Sequence, residues 1–175
     1  MNFPLKLFFI LGILFFIPGI IYTQDKTTEA RDWEMAVLKK NNSKYESIAF
    51  QQPITMTRRD AFQLYFSFNM NGFCYVIQED DEGRLPFVYK SAVSIGQNFT
   101  LPEKDRDFLN AELPGTNRFH VIICTEPRAN LEKLIDQHGK EAVTVSLERS
   151  LLSEVLAVKK NISAPWAVTV IVRVQ

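Results

Sequence analysis

The chain has 175 residues, a formal net charge of zero and a charged fraction of 23%. Balanced charge argues against a nucleic-acid binder, which shows a basic excess. The ordinary charged fraction, beside 46% hydrophobic residues, excludes wholesale disorder.

The N-terminus reads as an address. Lys6 precedes an apolar run, Leu7 to Ile17, which ends at Pro18-Gly19. A charged start, a short apolar core and a helix breaker are the layout of a secretory signal peptide. The run is short for a membrane-spanning helix, which needs about 20 apolar residues. Residues 1–23 are therefore expected to be a signal peptide, with the mature chain starting between Ile20 and Asp25. An uncleaved N-terminal anchor is the rival reading, and only then is the membrane a partner. Removal leaves roughly 150 residues, one domain able to bury a core without disulfide or metal. The expected location is periplasmic or cell-surface.

Residues 24–44 read as a polar leader. Trp33, Val37 and Lys40 offer a short-helix candidate over 29–40, although Trp33-Glu34-Met35 equally begins a strand. Asn41-Asn42-Ser43-Lys44 is a turn signal. A single β-rich domain is expected over 45–175. Ile48 to Phe50 and Ile54 to Thr57 are short extended pieces split by Pro53. In Phe62 to Phe68, the residues Phe62, Leu64, Phe66 and Phe68 share one parity, the mark of a half-buried strand. Asn69 to Gly72 then predicts a turn into a strand over Phe73 to Gln78, the two strands pairing as a hairpin. An acidic turn, Glu79 to Gly83, leads to a strand over Leu85 to Tyr89, and Gly96 to Leu101 is a further strand. A charged loop follows, Glu103 to Asp107. Leu113 to Asn117 is a turn and Phe119 to Thr125 an apolar strand.

Leu131, Leu134, Ile135 and His138 lie at i, i+3, i+4 and i+7, a helix closed by Gly139. A second helix carries Leu147, Leu151, Leu152, Val155 and Leu156, with Ser146 as expected N-cap. Trp166 to Val174 is the cleanest strand, its valines alternating at 168, 170, 172 and 174. Short strands at close spacing predict a mainly β, antiparallel sandwich, Ig-like or jelly-roll-like, with one or two helices inserted late.

One ordered series of pieces, from roughly Ile54 to Ile135, resembles the bacterial domain of unknown function 4384 (DUF4384) family. The pieces are the strand Phe62 to Phe68, then Asn71-Gly72-Phe73-Cys74-Tyr75-Val76-Ile77, then the acidic-Gly turn Asp80 to Gly83. Gly96 to Leu101-Pro102 and Leu113-Pro114-Gly115-Thr116 with Phe119 to Thr125 complete the series. Family members tend to carry a Phe-Pro-like turn after the third strand, where this chain reads Phe87-Val88-Tyr89-Lys90. The resemblance implies a β-rich, extracytoplasmic accessory module and transfers no catalytic residue.

Residues with chemistry are sparse. His120 and Cys124 are four apart on one strand, about 13 Å, beyond the reach of a nucleophile pair. Cys74 approaches His120 only if neighbouring strands bring it there. Cys74, Cys124 and the two His lack zinc-ligand spacing, and Glu79 to Gly83 falls short of a calcium loop, reading instead as a solvated turn. Arg58-Arg59 and Lys159-Lys160 read as solvated ends rather than a nucleic-acid patch. The stripe Phe73, Tyr75 and Ile77 reads as core, with a binding face as its rival. Cys74 and Cys124 read as two buried free thiols, with a disulfide as the alternative.

Taken together these features predict a non-enzymatic exported module of the bacterial cell envelope, without cofactor, whose partner is an envelope protein or cell-wall glycan. Two rivals are a small hydrolase using Cys74 or Cys124, and a structural subunit assembling through an edge strand, Trp166 to Val174 being the candidate.

Overall fold

A computed structural model of the chain describes residues 32–103, 106–109, 115–140, 142–162 and 166–175. The expected signal peptide, the leader up to residue 31 and the Leu113-Pro114 part of the later turn lie outside the described residues. Ten strands and two helices follow: β1 (Trp33–Asn41), β2 (Lys44–Ile48), β3 (Ile54–Met56), β4 (Ala61–Phe68), β5 (Gly72–Glu79), β6 (Phe87–Val93), β7 (Asn98–Leu101), β8 (Phe108–Leu109), β9 (Gly115–Cys124), α1 (Ala129–Lys140), α2 (Val145–Asn161) and β10 (Ala167–Val174).

The strands form a sandwich of two sheets. The first runs β2-β1-β4-β7, with β8 also paired to β4; the second runs β3-β10-β9-β5-β6. Period-two patterning creates the interior. Phe62, Leu64, Phe66 and Phe68 of the first sheet meet Val76, Phe119, Val121, Val170 and Val172 of the second in one buried cluster. The Phe62 ring packs edge-on against Phe119, 5.6 Å between centroids, which joins the sheets directly. A second apolar cluster lies on the opposite face of the β3-β10-β9-β5-β6 sheet. There Tyr75, Ile77 and Ile122 pack against Leu131 and Ile135 of α1 and Leu151, Val155 and Val158 of α2. The architecture is therefore sheet, sheet, helices, mainly β as the strand grammar predicts.

Several expectations are corrected. Residues 33–41 are the strand that Trp33-Glu34-Met35 offered and not the short-helix alternative, so the sheet begins well before residue 45. Trp33 and Val37 share a face in either conformation, and Trp33, Met35 and Val37 stand opposite Phe68, Phe66 and Leu64 of β4, a pairing that only the extended form offers. Asn42, with φ of 56°, closes the β1–β2 hairpin in the left-handed conformation that Asn tolerates. β4 and β5 do not pair. Both edges of each are already taken, by β1 on one side and β7 and β8 on the other for β4, and by β6 and β9 for β5, and the link between them crosses the sandwich with Met70 buried. Pro53 does separate two short strands, but the first ends at Ile48, and the strand expected at Leu85 starts at Phe87.

The strand offered as an assembling edge, β10, lies between β9 and β3, although β3 covers only its last residues, Val172 to Val174. It pairs with β9 antiparallel from Ala167↔Ile122 to Val174↔Gly115, and with β3 parallel from Val172↔Ile54 to Val174↔Met56. The sandwich thus contains one parallel pair. The inward valines of β10 belong to the core: Val170 and Val172 are fully buried.

The helix residues follow the predicted spacing, with two changes. Gly139 lies inside the last turn of α1. The N-cap of α2 is Thr144, not Ser146: the Thr144 side chain accepts from the Leu147 amide at 3.2 Å, with Thr144 extended at φ −111° and ψ 151°.

Candidate functional site

The helical layer is held to its sheet by polar side chains placed at the margins of the apolar cluster. Tyr75, buried on β5, donates its hydroxyl to Glu132 Oε1 at 2.9 Å and accepts from the Arg128 amide at 3.1 Å, fixing the start of α1. Glu148, in the first turn of α2, accepts from the Leu85 amide at 2.9 Å. Lys90 of β6 pairs with Asp136 of α1 at 2.7 Å.

The densest group is Glu79, His120, Lys159 and Thr169. His120 lies opposite Ile77 on β5 and opposite Thr169 on β10, so its side chain shares the helix-facing side of the sheet with Glu79 two residues on. His120 Nε2 is 2.9 Å from Glu79 Oε2, and His120 Nδ1 is 3.2 Å from the Lys159 ammonium. Lys159 also donates to the Thr169 hydroxyl. An ammonium only donates, so Nδ1 accepts from Lys159 and Nε2 carries the proton donated to Glu79. The imidazole is neutral in this arrangement and both of its nitrogens are engaged.

Burial favours that neutral form. It pushes the His120 pKa down, the Lys159 and Arg118 charges push the same way, and only Glu79 opposes them. Burial likewise lowers Lys159, again opposed by Glu79. The pH consequence has a definite sign. The unfolded chain binds the imidazole proton more readily, so this contribution to stability is complete above about 6.5 and declines as pH falls through the depressed folded value. Protonation at Nδ1 would also set an imidazolium against the Lys159 ammonium. We expect the melting temperature of the protein to fall between pH 7 and pH 5, and His120→Gln to flatten that decline. An NMR titration placing the His120 midpoint above 6.5 would refute the assignment.

The cysteines do not converge on this group. Cys74 stands opposite Ile123, and Phe73 opposite Cys124. Cys74 therefore faces the sandwich interior while Cys124 faces the helices. Both are free and buried, and their opposite faces bar a disulfide. The same parity separates Cys74 from His120, so the Cys–His pairing considered from the sequence is not formed. Burial pushes both thiols up, that of Cys124 against the opposing pull of Arg128. The Phe73–Tyr75–Ile77 stripe is core: Tyr75 and Ile77 are fully buried and Phe73 packs partly buried against them, beneath the helices. It is not an exposed binding face.

The acidic turn is a set of side-chain ties. Asp80 accepts from the Glu82 and Arg84 amides, each at 2.9 Å, and pairs with Arg84 Nε at 2.7 Å. Asp81 accepts from the Thr116 amide at 2.7 Å, its carboxylate occupying the space a Cβ on Gly115 would need. Glu82 meets Arg84 at 3.2 Å and Glu79 meets His120. The turn is solvated, as the sequence predicts, with Asp81, Glu82 and Arg84 exposed, and it also bonds back to the protein. Among the described residues no three His, Cys, Asp or Glu side chains group as metal ligands.

On the far side of the molecule, the outer face of the β2-β1-β4-β7 sheet carries Leu38, Tyr65, Ser67 and Thr100, all half-buried, beside exposed Ser47 and Asn98. Asp107 ties to one end of it, bonding Lys40 at 2.7 Å and Tyr45 at 2.6 Å, while Gln63 donates to the Arg106 carbonyl at 2.7 Å.

Sequence reasoning singled out His120 but missed Glu79, Lys159 and Thr169 as its partners, and took Lys159 for a solvated end. Lys159 lies four residues beyond Val155, in register with the buried stripe of α2. That spacing was the available signal. No protein-family model, curated protein or solved structure matches the chain.

Proposed function

We propose that the chain is an exported, non-enzymatic β-sandwich module of the bacterial cell envelope that acts by binding an envelope protein or cell-wall glycan. The resemblance to the DUF4384 family implies an extracytoplasmic accessory module, and the binding role follows from expected export together with the lack of a paired acid/base set. The observation that supports it most is the engagement of the reactive side chains. His120 has both nitrogens bonded within the protein, and the two thiols are buried on opposite faces of one sheet with their pKa values raised. A cysteine hydrolase needs the reverse, an accessible thiol of lowered pKa beside a free base. Here His120 and Thr169 tie α2 to the sheet through Lys159 and the thiols are packed into the apolar layers, which leaves recognition to the surface.

Two measurements on the native protein test the reading. Intact mass is expected to show a mature N-terminus between Ile20 and Asp25. Alkylation is expected to leave Cys74 and Cys124 unmodified in the folded protein and to modify both after denaturation without reductant. A single fast-reacting thiol in the folded state would overturn the non-enzymatic assignment in favour of the hydrolase. Recovery of the chain from the cytoplasmic fraction with Met1 to Gly19 intact would overturn export.

A further inference from the structure

The outward surface of the helical layer combines exposed aliphatic and basic side chains. Of five large hydrophobic residues that stand exposed among those described, three lie in or just before α2: Val143 at 48%, Val145 at 63% and Leu156 at 50%. Val145, Leu152 and Leu156 fall at i, i+7 and i+11, one seam along the helix, separate from the Leu151–Val155–Val158 stripe that packs inward. Arg149 and Lys160 fall at i+4 and i+15 on the same seam, both exposed. Aliphatic and cationic side chains therefore share one ridge.

The charge asymmetry has a structural origin. Of the acids of the helical layer, Glu132 and Asp136 are bonded to the sheet through Tyr75 and Lys90 and Glu148 to the Leu85 amide just before β6, while Glu154, half-buried, falls nine residues after Val145 on the side of α2 away from the seam. Among the described residues, Lys133, Arg149 and Lys160 have no ion-pair partner and lie exposed. Using the acids inward leaves the outer ridge cationic.

From this arrangement we propose that α2 is a membrane-contact ridge, laying the Val145–Leu152–Leu156 seam into the interface of an anionic lipid bilayer while Arg149 and Lys160 reach its phosphates. Long basic side chains bury their stems along apolar surface and keep the charge at the headgroups, and a basic amphipathic helix lies in the interface plane in this manner. A second copy of the chain is a poor occupant, because pairing two such seams would gather Arg149 and Lys160 from both helices into one contact. A protein groove is less suited, because the seam has no aromatic anchor of the kind that dominates protein interfaces. This inference concerns the helical layer alone and does not rest on the envelope-module reading.

The test reads α2 locally, so that binding through the N-terminal apolar run does not obscure it. The full chain carries an environment-sensitive fluorophore at Ser153→Cys, beside the seam, or at Ser47→Cys on exposed β2 as control. Each is mixed with phosphatidylcholine vesicles with and without phosphatidylglycerol. The Ser153 label is expected to shift to the blue only with phosphatidylglycerol present, the shift reversing at high salt. The Arg149→Glu, Lys160→Glu double variant is expected to need at least about tenfold more lipid for the same shift. Both positions are exposed, so its melting temperature serves as the folding check, and the salt titration tests the idea without it. No shift on anionic vesicles, an equal shift of the Ser47 label, or an equal response to soluble polyglutamate would overturn the membrane assignment, the last in favour of an acidic protein partner.

Discussion

Deleting Trp166 to Gln175 is expected to abolish folding, leaving an insoluble chain with no cooperative melting transition. β10 is bonded along eight residue pairs to β9 and is the strand to which β3 pairs, so its loss opens the second sheet and orphans β3. The inward face goes with it. Val170 and Val172 are fully buried, and Val168 and Val174 pack partly buried against the same cluster. Burying a Val contributes about 1.5–3 kcal/mol. The two fully buried valines alone therefore approach the lower end of the usual ~5–15 kcal/mol net stability, before the unpaired backbone of β9 is counted. Thr169, which receives Lys159, is lost as well. A soluble truncated chain that melts cooperatively would show that β10 is an appendage. Val170→Asp probes the same point with the backbone intact, by placing an unpaired carboxylate in the interior.

Phe62→Ala should cost about 3–5 kcal/mol, the range for emptying a buried aromatic site. Phe62 is fully buried and contacts both sheets, with Phe108 at 5.2 Å and Phe119 at 5.6 Å between ring centroids. Phe108 in turn meets Phe119 at 4.9 Å and Phe87 at 5.1 Å. Removing the central ring leaves a cavity that strands on both sides must hold open, because their hydrogen-bonded ladders prevent collapse. In a domain of this size the loss corresponds to a melting temperature lower by roughly 10 °C. Urea unfolding checks it: the midpoint should fall with the slope unchanged. A loss below about 1 kcal/mol would mean that the aromatic cluster is not the sandwich interior.

The same ring contacts explain why this part of the fold was legible. Phe62, Leu64, Phe66 and Phe68 alternate with polar residues, and only an extended chain puts all four on one face. The alternation of valines in β10, the i, i+3, i+4 spacing of α1 and the turn at Asn41–Lys44 are equally local signals, and each appears where the sequence predicts it. Trp33 and Val37 are the counterexample. Four residues apart, they share a face in helix and strand alike, so periodicity was silent and the partner strand β4 decided.

The polar cluster was less legible because its members are distant in the chain. Glu79, His120, Lys159 and Thr169 come from three strands and a helix, and no short motif links them. Each had a readable face: Glu79 follows Tyr75 and Ile77, His120 precedes Ile122 and Cys124 at the same parity, and Lys159 follows Val155. Which face met which could not be read, because the same alternation serves either side of a sheet until its neighbours are known.

The sequence alone determined the mainly β class, the two late helices and the residues that must turn inward, since these depend on periodicity and propensity within a few residues. Tertiary structure alone decided which strands pair. It put β4 and β5 in different sheets, laid β3 parallel to the end of β10, and set Cys74 and Cys124 on opposite faces. The reason is that a strand carries unsatisfied donors and acceptors on both edges and side chains on both faces. Local sequence specifies the faces, but partners for the edges come from far along the chain, chosen by how the whole set of apolar faces can be buried at once.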